Sequence, residues 1–137
     1  VGHSCSHIIP FFDNQVLSNS VRRAEVGGKL ISKFLMESVS LTQFNLSKHF
    51  FLVTDLKEKS CKTLSSTEEF LDIRQRPSLS KLSRVFYTLN DYEICQRGGI
   101  VPNPTEEQLK VAKNLRNLVS LQLERVIFPE ILFQPSV

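Results

Sequence analysis

The sequence has no tryptophan, one methionine, two tyrosines and only three cysteines in 137 residues. Cys5, Cys61 and Cys95 lie far apart and form no CxxC pair. That excludes a disulfide framework and any zinc site of ordinary spacing. The expectation is reduced, partly buried thiols in an intracellular protein. Long apolar runs are missing as well: none approaches the roughly 20 residues of a membrane-spanning helix. The N-terminus lacks the charged-then-apolar layout of a secretory leader. A large charge excess is absent, since the net charge is +3 and the basic residues are scattered. A dense electrostatic patch for nucleic acid is therefore excluded. There is no internal repeat, no low-complexity tract and no initiator methionine, so the chain reads as a piece of something longer.

What remains is 41% hydrophobic and 23% charged residues, the composition of a globular protein long enough for one real core. Residues 7–12 are apolar and β-prone, and Asp13-Asn14 reads as the turn of a hairpin. The return strand covers Gln15 to Leu17 and Val21 to Val26. Gly27-Gly28 marks a strand-to-helix switch, where glycine allows unusual backbone angles and close approach. From Lys29 onward, Leu30, Ile31, Phe34, Leu35 and Val39 recur at three- and four-residue intervals, predicting an amphipathic helix. A second helix is predicted from an N-cap at Ser47 to about Lys59, with Leu52, Val53 and Leu56 inward. Ser66-Thr-Glu-Glu69 is a capping box for a third helix that ends before Pro77. Arg84 to Leu89 reads as a strand with Asn90-Asp91 as its turn. Arg97-Gly-Gly and Pro102-Asn-Pro104 read as loop, and Thr105 with Gln108 opens a helix through about Asn114. Leu118 to Leu123 roughly alternates as a half-buried strand should. In the last stretch Pro129 fits only a first helical turn, and Phe128, Ile131, Leu132 and Phe133 look like core.

Periodicity alone stops at a mixed α/β class; a series of local signatures goes further. The opening Gly2-His-Ser-Cys-Ser-His-Ile-Ile-Pro10 is similar to a phosphate-binding hairpin in which Asp-Ser-Gly precedes Thr-His-x-x-Pro. Arg22-Arg-Ala-Glu-Val-Gly-Gly-Lys-Leu30 then leads a strand into a glycine-started helix. Asp55-Leu-Lys-Glu-Lys-Ser-Cys61 is close to an Asp-Ile-Lys-Glu-Lys-x-Cys element, and Glu124-Arg-Val-Ile-Phe-Pro-Glu-Ile-Leu-Phe-Gln-Pro-Ser136 closes the series. In this order the signatures resemble the actin family, over residues 2–61 and 118–137. Val26 to Leu30 and the Tyr87-Thr-Leu-Asn-Asp-Tyr92 segment make the actin-related protein 6 class the best match.

The resemblance implies an α/β fold: a partial actin-like (actin/hexokinase-type ATPase) fold, with the end of one core sheet and a mostly helical outer subdomain. Residues 1–27 would belong to the core subdomain. Residues 28–137 would form the outer one, with a family-specific insertion at about 75–117. It also implies candidate nucleotide contacts at Gly2, His3 and Ser4, whose small-residue turn would face phosphates, and at Gly28, Lys57 and Glu58 near ribose and adenine. The implied cofactor is ATP in the full-length parent and none in the isolated chain. His3 stands where the family has an acidic residue, and imidazole is a poor ligand for hydrated Mg²⁺. Thr54 replaces an arginine near the base. His7 aligns with a water-placing histidine but reads as a packed or hydrogen-bonded residue, so no catalytic residue and no metal ligand is assigned. The implied role is a nuclear scaffold among the protein subunits of a chromatin-remodelling complex that exchanges a histone variant. Neither membrane association nor sequence-specific nucleic-acid binding is expected. An actin-like ATPase and a cytoskeletal actin relative are the alternatives.

Overall fold

The computed structural model describes residues 1–75, 84–89, 97–102, 104–106, 110 and 117–134. The expected Asn90-Asp91 turn, Cys95, and most of the helix expected from Thr105, with Leu109, Ala112 and Leu115, lie outside them.

The N-terminal hairpin forms around the predicted turn but in two steps. β1 (Ser6–Ile8) pairs antiparallel with β4 (Arg22–Ala24), and β2 (Phe11–Phe12) pairs with β3 (Gln15–Val16). Asp13 and Asn14 both have positive φ, 47° and 58°, as the tight turn of a two-residue hairpin demands. Pro10 has no N–H for a ladder and separates β1 from β2, while a 3₁₀ turn at Ser18–Ser20 separates β3 from β4.

Helix α1 (Gly28–Thr42) buries Ile31, Ser32, Leu35 and Val39, close to the expected face, and Ser32 Oγ folds back onto the Gly28 carbonyl. Helix α2 (Phe50–Ser60) starts later than expected. Ser47 does not cap it; its N–H and hydroxyl both donate to Asn45 Oδ1, forming a local turn, and His49 occupies the cap position without a side-chain bond. Short polar side chains satisfy turns as readily as helix ends, and here the turn wins. Helix α3 (Thr67–Gln75) follows the predicted capping signature, with Glu68 N–H donating to Ser66 Oγ at 3.2 Å.

A three-stranded antiparallel sheet completes the fold in the order β6 (Gly99–Val101), β5 (Val85–Thr88), β7 (Leu118–Leu121). The glycine-rich stretch read as loop therefore supplies an edge strand: Gly99 opens β6 opposite Thr88, and Ile100 and Val101 continue it. Helix α4 (Glu124–Glu130) holds Pro129 near its end rather than in its first turn. Proline leaves the carbonyl four residues earlier without its helical donor. Here Lys62 N–H donates to that Arg125 carbonyl at 3.0 Å, so the proline is accommodated and α4 is tied to the end of α2. Phe128 packs on the core and stands 6.2 Å from Phe34 between ring centroids, whereas Phe133, expected to be core, is exposed.

The core joins α1, α2 and the sheet: Leu35, Val39, Leu46, Val53, Leu56, Tyr87, Leu89, Val119 and Leu121. Tyr87 and Leu89 come from the stretch read as an insertion, so that stretch packs into the same core. Among the described residues no helix is long and apolar enough to cross a membrane.

Candidate functional site

The turn at residues 2–5 is closed by its own backbone, with Gly2 N–H donating to the Cys5 carbonyl at 3.0 Å. It is then pinned to the start of α1. Gly28 N–H donates to the Gly2 carbonyl at 3.0 Å and Lys29 N–H to the His3 carbonyl at 2.7 Å. The next two amides of α1, Leu30 and Ile31, both turn back to the Gly27 carbonyl. Three of the donors that a helix start ordinarily leaves open, those of Gly28, Lys29 and Leu30, are thus used within the chain. Ser6 Oγ adds a 2.6 Å bond to the Val26 carbonyl, tying β1 to the segment just before the glycines. Its hydroxyl stands where the hairpin signature has threonine, a signal the sequence held.

This junction is possible because of Gly27. A Cβ there would lie 2.7 Å from both the Gly2 and His3 carbonyl oxygens and 2.9 Å from Cys5 N. Gly27 is buried and its backbone is extended (φ −157°, ψ −176°); no described glycine has positive φ. The expected unusual backbone angles are therefore absent, and the close approach belongs to Gly27 rather than Gly28. A Cβ on Gly28 would meet the end of the flexible Lys57 side chain, 3.3 Å from Nζ, and the Gly2 carbonyl oxygen only at an ordinary contact distance of 3.9 Å.

The six candidate residues are not all brought together. Gly2, His3 and Gly28 share the hydrogen-bonded junction, Lys57 reaches over Gly28 from α2, and Ser4 sits in the turn, exposed. Glu58 is exposed on α2, with no bond joining it to the turn among the described residues. The amides of His3 and Ser4 and the ammonium of Lys57 have no hydrogen-bond or ion-pair partner among the described residues, leaving donors that would suit a phosphate. The turn itself carries no carboxylate, so its donor set fits an anion and not a hydrated divalent cation. His7 is exposed on β1 opposite Arg23, and its ring has no hydrogen-bond partner among the described residues. Thr54 Oγ1 donates to the Phe50 carbonyl on its own helix.

Sequence reasoning missed the groups that fix α2 in place. Lys59 Nζ lies 2.9 Å from Asp55 Oδ2 and 3.2 Å from the Gly98 carbonyl, and the Tyr87 hydroxyl donates to the same Asp55 oxygen. Helix α2 is thereby fastened to both β5 and the residue preceding β6. Burial pushes the Asp55 carboxyl up, but hydrogen bonds from Lys59 and Tyr87 and the Lys59 charge outweigh it and hold it below its ordinary value. Burial first, and then the Asp55 bond, push the Tyr87 phenol up to about 12. A carboxylate with a lowered native pKa contributes stability above its unfolded value and loses it as the pH falls through the native one. Asp55→Asn is accordingly expected to lower the melting temperature by about 3 °C near neutral pH. The gap from the parent should close as the pH drops below about 4. Thermal melts showing equal gaps in acid and at neutral pH would contradict this assignment.

Cys5 and Cys61 are unpaired and half-buried, as expected for inert thiols. Burial pushes the Cys61 thiol up to about 11 against the nearby Ser60 hydrogen bond and the Arg125 and Lys57 charges.

No family model matches the chain. It is 30% identical over 138 residues to the actin-like protein ARP6 of Yarrowia lipolytica, covering 99% of this chain and 33% of that protein. It is 28% identical over 137 residues to actin-related protein 6 of Drosophila melanogaster, again covering 99% of this chain and 33% of that protein. The chain belongs to the actin family. Actin-related protein 6 of Arabidopsis thaliana is 28% identical over 153 residues, which cover 98% of this chain and 36% of that relative. The actin-family likeness and the mixture of helices with small antiparallel sheets agree with the expected partial actin-like α/β fold. The matches run through residues 62–117 as well, where the motifs had offered only the short segment at residues 87–92. The chain spans about one third of the length of the relatives it matches.

Proposed function

We propose that this chain is part of a scaffold subunit of a nuclear chromatin-remodelling complex that exchanges a histone variant. In this reading ATP is a structural ligand of the full-length protein and is not turned over. Residues 1–27 end its core subdomain and residues 28–137 form its outer one, with the segment at about 75–117 as the class-specific part.

The similarity to relatives named actin-related protein 6 supports the placement in that class. The observation that carries the scaffold reading is the closed junction at Gly2, His3 and Gly27. Its carbonyls take up the first donors of α1; its turn offers an anion two amides without a partner among the described residues, beside Lys57 of α2, but no carboxylate to organise a metal-bound water. Such a site holds a phosphate more readily than it activates a nucleophile.

Measurements on the full-length protein and on the isolated chain test this. The full-length protein is expected to fractionate with nuclei, to co-purify with a remodeller motor, and to release no phosphate from ATP above background; robust Mg²⁺-dependent turnover would sink the scaffold reading. The isolated chain, which spans about one third of its relatives, is expected to give no binding heat with ATP, and micromolar affinity in a calorimetric titration would contradict that.

A further inference from the structure

A strand at the edge of an antiparallel sheet turns the N–H and C=O of every second residue away from its neighbour, and those groups pair readily with another strand. β7 occupies such an edge among the described residues. Val119 stands opposite Tyr87 and Leu121 opposite Val85. Ser120, between them, directs its backbone groups outward. There both meet one side chain: Ser120 N–H donates to Gln43 Oε1 at 2.8 Å, and Gln43 Nε2 donates to the Ser120 carbonyl at 2.9 Å. A primary amide presents an acceptor and a donor in one plane, as a peptide group does, so Gln43 bonds Ser120 as a neighbouring strand would.

The side chain is well anchored for this. Gln43 is the cap residue that follows α1, and its own N–H is held by the Val39 carbonyl at 2.9 Å. The edge also needs closing. β7 reads Leu118-Val-Ser-Leu121, three apolar residues with none of the lysines or prolines that commonly guard an edge. We infer that the Gln43 side chain is a surrogate strand residue that closes the edge of β7 against pairing with a second copy of this chain.

The test is Gln43→Leu in the full-length protein, which keeps the backbone bond to Val39 and removes both bonds to Ser120. Hydrogen exchange resolved at single amides is expected to speed up about tenfold at Ser120 while Val119 and Leu121, bonded to β5, keep their protection. Sedimentation velocity should show concentration-dependent self-association that the parent lacks. Gln43→Glu, which keeps the acceptor for Ser120 N–H but loses the donor, should leave Ser120 protected while still weakening the closure, giving weaker self-association. Unchanged Ser120 exchange, or a monomeric Gln43→Leu protein at all concentrations, would overturn the proposal. Equal acceleration at all three amides would overturn it too, since Gln43 would then be holding the whole sheet together rather than covering one edge.

Discussion

Gly27→Ala should cost about 2–3 kcal/mol of folding stability, the scale of a side chain forced into a packed site that cannot yield. One methyl group is enough because its neighbours are backbone atoms. The Gly2 and His3 carbonyl oxygens and Cys5 N surround the position at 2.7, 2.7 and 2.9 Å, and the two carbonyls are also the acceptors that hold the Gly28 and Lys29 amides. Relieving the clash therefore breaks the bonds that join the turn to α1. The matched control is Gly28→Ala, whose new methyl meets the flexible end of Lys57 and no backbone atom closer than 3.9 Å. Glycine within a helix is disfavoured against alanine by up to about 1 kcal/mol, so this second substitution should leave stability unchanged or slightly raised. Chemical denaturation of both variants decides the matter. Equal losses would mean that the sharpness of the junction, and not the crowding at Gly27, sets its stability. Because the turn also carries the amides proposed to face a phosphate, Gly27→Ala should weaken any nucleotide affinity of the full-length protein alongside its stability.

Leu56→Ala should cost about 3 kcal/mol, within the range for a leucine removed from a tight core, and lower the melting temperature by about 10 °C. Leu56 is completely buried in the cluster where α1, α2 and the sheet meet, so the cavity has walls on several elements and little freedom to collapse. Its place in α2 gives the loss a second effect. Asp55 and Lys57 flank it, one gripping Lys59 and Tyr87, the other reaching over Gly28. Loosening the helix at Leu56 should therefore also abolish most of the acid sensitivity assigned to Asp55. A Leu56→Ala protein that melts within a few degrees of the parent would show that the core repacks around the loss.

Much of the fold was legible because its determinants are local. Asp13-Asn14 can adopt the left-handed conformation of a tight turn, Ser66 caps the helix that follows it, and the apolar spacing of α1 names its buried face. Errors came where a distant partner decides. Pro129 sits inside α4 because Lys62 supplies the donor that the proline's ring denies to Arg125. Gly99 and Ile100 form a strand because β5 lies beside them. Ser47 is the exception, because its competitor is local: Asn45, two residues away, holds it in a turn instead of a helix cap.

The candidate site divides along the same line. The order of short motifs, ending in Glu124 to Ser136, was enough to identify the family, because each motif is a run of neighbours. That run itself carries structure rather than chemistry, through Phe128 against the core and Pro129 against the end of α2. Which glycine carries the crowding, which amides stay free and which side chain covers the edge of β7 were decided only by tertiary structure. Each depends on atoms brought together from positions far apart in the chain, and no periodicity in the sequence records such distances.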